Sequence, residues 1–272
     1  MNSSEPLETY LANQLASPEQ IQTWADTFHR QGFLFLDNVL PLDWCAQMRD
    51  DLDCALQNNP NGLNMINDRV HLAHRLFEHS EANLQLFDLE PIVSFAEALL
   101  GTNCHVIHNN SFRSPVGGGG FTSWHQDDPS HYIVTDGTPP RNVHLPVLFF
   151  TANYYLTDVT DIEHGGTEVI PGSHLFGASP PKVMTETQWE DQIHHNLGRA
   201  GSVTLFNNQV WHRGGPNQSD RLRYITQITY ARRIIGHKYF PFINYVMPED
   251  VYANASPRLR RLLGFLEQGA YG

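Results

Sequence analysis

Three consecutive pieces decide the fold: Gly201-Ser202-Val203-Thr204-Leu205-Phe206, then Trp211-His212-Arg213-Gly214-Gly215-Pro216-Asn217, then Arg221-Leu222-Arg223-Tyr224-Ile225-Thr226-Gln227-Ile228-Thr229-Tyr230. The first is rich in β-formers and reads as a strand leading to His212. Gly-Gly-Pro-Asn is a turn. The last piece alternates and ends in β-formers, so a second strand returns past the histidine carrying an arginine. On a strand, Arg223 and Ile225 share a face, and a guanidinium facing inward needs a buried anion to neutralise it. The competing readings are a neutral core histidine beside Trp211 and a surface ion pair between Arg223 and Asp220.

Working outward, the triplet His125-Gln126-Asp127 lies 85 residues before His212, counted from the aspartate. Residues i and i+2 of a strand project to one side, so His125 and Asp127 can reach one ion while Gln126 faces away. With 15 histidines in 272 residues, about one His-x-Asp arises by chance. The weight therefore comes from context. Upstream, Pro115-Val116-Gly117-Gly118-Gly119-Gly120 is a run that suits a turn or a close backbone approach. Downstream stand His212 and Arg223. Two imidazoles and one carboxylate on one face of a metal leave positions open, the arrangement used by non-heme Fe(II) oxygenases. Asp128 reads as a turn or solvent-facing residue. The pairs His71/His74, His105/His108 and His194/His195 have no third ligand in sequence and read as surface histidines.

Trp124-His125-Gln126-Asp127, the segment from Leu156-Thr157-Asp158 to Pro171-Gly172-Ser173-His174, the segment from His212 to Arg223 and the N-terminal Gln31-Gly32-Phe33-Leu34-Phe35-Leu36 together resemble the phytanoyl-CoA dioxygenase family of Fe(II)/2-oxoglutarate oxygenases along most of the chain. The resemblance implies a double-stranded β-helix (jelly roll, cupin-like), mostly β with bracing helices. It implies Fe(II) held by His125, Asp127 and His212, with 2-oxoglutarate as cosubstrate and O2 as oxidant, giving succinate and CO2. The family's 2-oxoglutarate-binding arginine sits eleven residues after the distal histidine, which falls on Arg223, with Arg221 as runner-up. A planar, permanently charged fork suits a carboxylate better than lysine does. Asn110 falls where relatives place an amide touching the cosubstrate. An intact Asp127 favours hydroxylation or another oxidation over halogenation, since related halogenases replace it with a small residue. Gly214 stands where relatives have a serine, Asn153 where they have tryptophan, and Glu163-His164-Gly165-Gly166 departs from Glu-Asn-Gly. The alternatives are an acyl-CoA hydroxylase of the phytanoyl-CoA type, a cupin-like metal-dependent isomerase or hydrolase, and a non-catalytic binding protein.

Composition bounds the partners. Residues 201–272 carry a net charge of +5, leaving −17 for residues 1–200 of a chain whose total is −12. Arg213, Arg221, Arg223, Arg232, Arg233 and Lys238 would cluster near a small anion, without the basic footprint that nucleic acid requires. A bulky polyanion would meet few cations at an acidic N-terminal half, so a neutral or cationic small molecule is preferred. No apolar run of membrane-spanning length and no charged-then-apolar N-terminus with a small-residue cleavage site appears, so membrane spanning and export are not expected, and Cys45, Cys54 and Cys104 match no zinc spacing. These features point to a cytoplasmic enzyme with reduced thiols. The sequence is silent on oligomeric state.

A chain of 272 residues can form one β-rich domain, divided into a helical part (about 1–103), a β-helix core (about 104–235) and a C-terminal extension (about 236–272). Ser17-Pro18-Glu19-Gln20 is a helix start, with Ile21, Trp24, Ala25 and Phe28 at helical spacing and Gly32 as the stop. A strand over Phe33–Leu40 follows. Pro41 opens a second helix with Trp44, Cys45, Met48, Leu52 and Leu56 on one side, and Pro91–Leu100 reads as a third. Residues 57–70 read as a mobile loop able to cover the site. Arg258–Leu263 reads as a packing helix.

Overall fold

The computed structural model describes residues 11, 13–118, 122–128, 144–238 and 245–265. Gly119-Gly120 of the glycine run and residues 266–272 of the C-terminal extension lie outside them. Among the described residues there are ten strands: β1 (Phe33–Leu36), β2 (Met65–Ile66), β3 (His71–His74), β4 (His105–Ser114), β5 (Phe149–Tyr155), β6 (Thr167–Val169), β7 (His194–His195), β8 (Val203–Asn207), β9 (His212–Gly214) and β10 (Arg223–Ala231). They form a seven-stranded sheet in the order β1-β8-β5-β10-β4-β3-β2 and a three-stranded sheet β7-β6-β9, with antiparallel pairing throughout. This is the expected jelly roll.

Helices brace the outer face of the large sheet. Helix α1 (Pro18–Gln31) begins where Ser17 accepts a hydrogen bond from the Gln20 amide at 3.2 Å and ends at Gly32, whose φ of 80° an L side chain rarely adopts. Helix α2 (Leu42–Asn58) buries Cys45, Met48, Leu52, Ala55 and Leu56. The short α3 (Glu81–Gln85) leads to α4 (Ile92–Leu100), and α5 (Glu249–Ala253) and α6 (Pro257–Leu262) close the described chain. The core lies between helices and sheet. Phe150 is fully buried there, with Phe28, Phe95 and Tyr230 rings at 5.5 to 5.7 Å.

Alternation along the strands separates this core from a cavity on the opposite face. On β10, Tyr224, Ile228 and Tyr230 join the core, while Arg223, Ile225, Gln227 and Thr229 line the cavity. On β4, the lining residues are His108, Asn110, Phe112 and Ser114.

Two expectations are corrected. The first strand ends at Leu36, because Asn38 adopts φ 54° and the Val39 and Leu40 amides both bond to the Gly201 carbonyl. Residues 57–70 are not a loop throughout. Helix α2 extends to Asn58, and β2 pairs with β3 to bring Val70 to the cavity wall.

Candidate active site

The cavity between the two sheets has a volume of about 280 Å³. His125, Asp127 and His212 meet at its wall. Val169 on β6 pairs with His212, and an isolated antiparallel bridge holds His125 to His212 through N–H to O bonds of 3.0 Å in both directions. Two residues on, the Asp127 amide donates to the Asn208 carbonyl at 2.8 Å. The Asp127 carbonyl accepts from the Asn208 side chain at 3.0 Å and the Gln209 side chain at 3.2 Å. Gln126 points the other way, buried and donating to the Gln209 carbonyl. Asp128 turns the chain at φ 55° and is exposed. The ligand-bearing segment is thus held by its backbone, which leaves its side chains free to face the cavity.

The side-chain geometry suits a cation. His125 Nε2 is 3.8 Å from Asp127 Oδ1, and His212 Nε2 is 3.9 Å from Asp127 Oδ2. One donor atom from each residue falls within 4.8 Å of the others. Each histidine has its Nδ1 at a carbonyl oxygen two residues earlier, that of Ser123 at 2.8 Å for His125 and that of Val210 at 2.9 Å for His212. A carbonyl only accepts, so Nδ1 carries the proton and donates, and both Nε2 lone pairs face the cluster. Burial pushes the His212 pKa down to about 4, partly opposed by Asp127, so its ring is neutral, as a metal ligand must be. The donor set fits a divalent ion that accepts imidazole and carboxylate with open positions.

Arg223 lies in the same cavity at 6% exposure. Its Nη1 donates to the Gly215 carbonyl at 2.8 Å and its Nη2 to Ser114 Oγ at 2.9 Å, while its Nε is buried without a partner. Burial pushes its pKa down to about 10, opposed by Tyr155 and Glu168, so the cation persists at neutral pH. A fixed buried guanidinium with N–H groups still uncommitted, that of Nε among them, is a receptor for an anion. Gly165, at φ +73°, gives it room: a Cβ there would sit 2.5 Å from both Arg223 Nη1 and the Gly215 carbonyl.

The remaining sequence candidates separate. Asn110 lines the cavity with Oδ1 held by His74 Nδ1 at 2.8 Å. Arg221 is exposed, lies against the His164 ring and does not line the cavity. Of the expected basic cluster, Arg213, Arg223 and Lys238 line the cavity, whereas Arg232 bonds the Val147 and Leu99 carbonyls and Arg233 the Gly264 carbonyl. Gly214 and Asn153 line the wall. His105 and His108 are not surface histidines. His105 is buried against the Ile235 carbonyl, and His108 faces the cavity. Sequence reading missed His108, although the period-two rule that puts Asn110 on the inner face extends to it. It also missed Glu168, buried on β6 between Arg213 at 2.5 Å and His195 at 3.2 Å.

The model of the family described as Phytanoyl-CoA dioxygenase (PhyH) matches residues 28–225, a span that includes the cluster and Arg223. The chain belongs to the phytanoyl-CoA dioxygenase family. It is accordingly a non-heme oxygenase dependent on Fe(II), 2-oxoglutarate and O2. Among characterised relatives, it is 27% identical over 222 residues to "Ectoine dioxygenase" of Nocardia farcinica, covering 70% of this chain and 71% of that protein. It is 28% identical over 144 residues to "Dioxygenase andF" of Emericella variicolor, covering 52% of this chain but only 45% of that protein. Among solved structures, HygX from Streptomyces hygroscopicus with nickel and 2-oxoglutarate bound shares the fold at a TM-score of 0.61 and 16% identity, covering 82% of this chain and 89% of that one. Among the described residues, no helix is long and apolar enough to cross a membrane.

Proposed function

We propose that this phytanoyl-CoA dioxygenase family member hydroxylates a small molecule at a centre where His125, Asp127 and His212 hold Fe(II) and Arg223 holds the distal carboxylate of 2-oxoglutarate. When bound, the iron activates O2 and couples decarboxylation of 2-oxoglutarate to oxidation of the substrate. The observation that carries the reading is one cavity holding two imidazoles with Nε2 turned to a shared carboxylate and a buried guanidinium with an unfilled N–H. Asp127 occupies the position that a halide would need, which favours hydroxylation. Asn110 supports the cosubstrate from the β4 wall. Arg221, turned toward His164, is not assigned a role. The described residues act as one catalytic domain, and the free thiols Cys45, Cys54 and Cys104 suit a cytoplasmic setting.

The family description favours a second reading, an acyl-CoA substrate. The volume of about 280 Å³ and the net −17 of residues 1–200 favour a smaller guest without several negative charges. Anaerobic addition of Fe(II) and 2-oxoglutarate tests the centre. A visible charge-transfer band is expected in the wild type and lost in His125→Ala and Asp127→Ala, and a wild type without the band would refute the assignment. Succinate formation with acyl-CoA thioesters, and not with their free small-molecule counterparts, would establish the second reading.

A further inference from the structure

Ser114 and His108 mark opposite ends of the cavity wall supplied by β4. Ser114 holds the Arg223 guanidinium, whereas His108 lies six residues earlier and pairs with Thr229. Six residues of strand extend about 20 Å. 2-Oxoglutarate, about 7 Å between its outer oxygens from standard bond lengths, reaches from Arg223 toward the metal cluster and leaves part of this wall uncovered. The wall continues with His108, Phe149, Thr229 and Lys238. Register puts that far end level with the metal-facing carboxylate. The Asp127 amide bonds Asn208, the adjoining Asn207 pairs with Phe150, and Phe150 pairs with Tyr230.

Charge and hydrogen-bonding capacity are uncommitted at this end. Among the described residues the Lys238 ammonium makes no ion pair; its Nζ sits 4.5 Å from the centre of the Phe149 ring, and its backbone N–H is fixed to the Ile107 carbonyl at 2.8 Å. The His108 ring makes no hydrogen bond to the described residues, although neighbouring His74 and Asn110 satisfy each other. Burial pushes the His108 pKa down to about 4, so the neutral ring can donate one N–H without carrying charge. Arg213 differs, since its charge is spent on Glu168.

We propose that Lys238 and His108 form an oxyanion subsite that receives a carboxylate or similar singly charged oxyanion on the substrate and thereby sets which carbon lies over the metal cluster. Phe149 and Phe206 supply apolar wall for the rest of the molecule. This departs from the sequence preference for a neutral or cationic substrate in favour of a small molecule bearing one oxyanion, and it rests on the assignment of the Fe(II)/2-oxoglutarate centre. The test is titration of the anaerobic enzyme, saturated with Fe(II) and 2-oxoglutarate, with phenylacetate and with phenylacetamide, which share a shape and differ in charge. Binding is read from perturbation of the charge-transfer band and by calorimetry. Phenylacetate is expected to bind about tenfold more tightly, the worth of one charge-assisted hydrogen bond. That preference disappears in Lys238→Gln and shrinks in His108→Phe, with 2-oxoglutarate affinity unchanged. Lys238 is exposed, so its replacement leaves packing intact. Equal affinity for the two probes, no binding by either, or a preference that survives Lys238→Gln overturns the subsite. A band absent before any probe is added refutes the metal centre instead, whereas a normal band without carboxylate preference refutes the subsite alone.

Discussion

Arg223 shows how one side chain is prepared for an anion before the anion arrives. Two of its donors are bound to Gly215 and Ser114, which fixes the fork and leaves one edge open. Lysine offers a point charge and cannot keep both contacts. Arg223→Lys is therefore expected to weaken 2-oxoglutarate binding by about 10- to 100-fold with metal affinity unchanged, as separate titrations of metal and cosubstrate would show. Gly165 behind it makes a second residue-scale case. Gly165→Ala forces a side chain into φ +73° and against Arg223 Nη1. Backbone strain of this kind costs about 1–3 kcal/mol, so the variant should show a lower urea midpoint together with weaker 2-oxoglutarate binding. An unchanged cosubstrate affinity in a destabilised Gly165→Ala would separate the glycine from the arginine. Gly165 appeared in the sequence only within the stretch Glu163-His164-Gly165-Gly166, read against a Glu-Asn-Gly pattern; its closeness to Arg223 is a tertiary fact that no spacing encodes.

Among the elements, β6 and β9 illustrate what the sequence conceals. Each has three residues, too few for a periodicity, and Glu168 sits unmarked inside a segment notable only for its family likeness. Glu168 is 3% exposed and pairs across the strands with Arg213, whose guanidinium lies 5.1 Å from the Trp124 ring centre. Glu168→Gln leaves Arg213 and His195 without their carboxylate. The loss should be about 2 kcal/mol, below the full figure for a buried pair because Arg213 is 27% exposed. Calorimetric melting would measure it, and because Arg213 adjoins His212, metal affinity should fall as well. Longer elements were legible. Ser17, Pro18 and Gly32 bound α1, and the alternation of residues 223–230 put Arg223 and Ile225 on one face. The segment Phe33–Leu40 misled because Asn38 takes a left-handed conformation within it, and the Asn-rich residues 57–70 hid a strand too short to signal itself. His105 and His108 misled because burial, not composition, decides whether a histidine is a surface residue.

For the whole molecule, acid is the expected weakness. Burial pushes the pKa of His105 and of His174 from 6.5 down to about 4, so both stay neutral in the folded state. Between those values the unfolded chain binds protons that the native protein refuses, and stability therefore falls as pH drops from about 6.5 toward 4 and is insensitive to these groups above that window. Urea midpoints at pH 7.5, 6 and 5 would display the trend, and a midpoint that rises toward pH 5 would contradict it. The packing behind the sheet works at the same scale. Phe150→Ala removes a ring shared by α1, α4 and β10, and its expected cost of about 3–5 kcal/mol would fall on the whole cooperative unit. The seven-stranded sheet also ends, at its two margins, on β1 with four residues and β2 with two. So short a border offers another chain only a few backbone partners. Among the described residues, the margins of the large sheet therefore give neighbouring copies almost no template on which to grow.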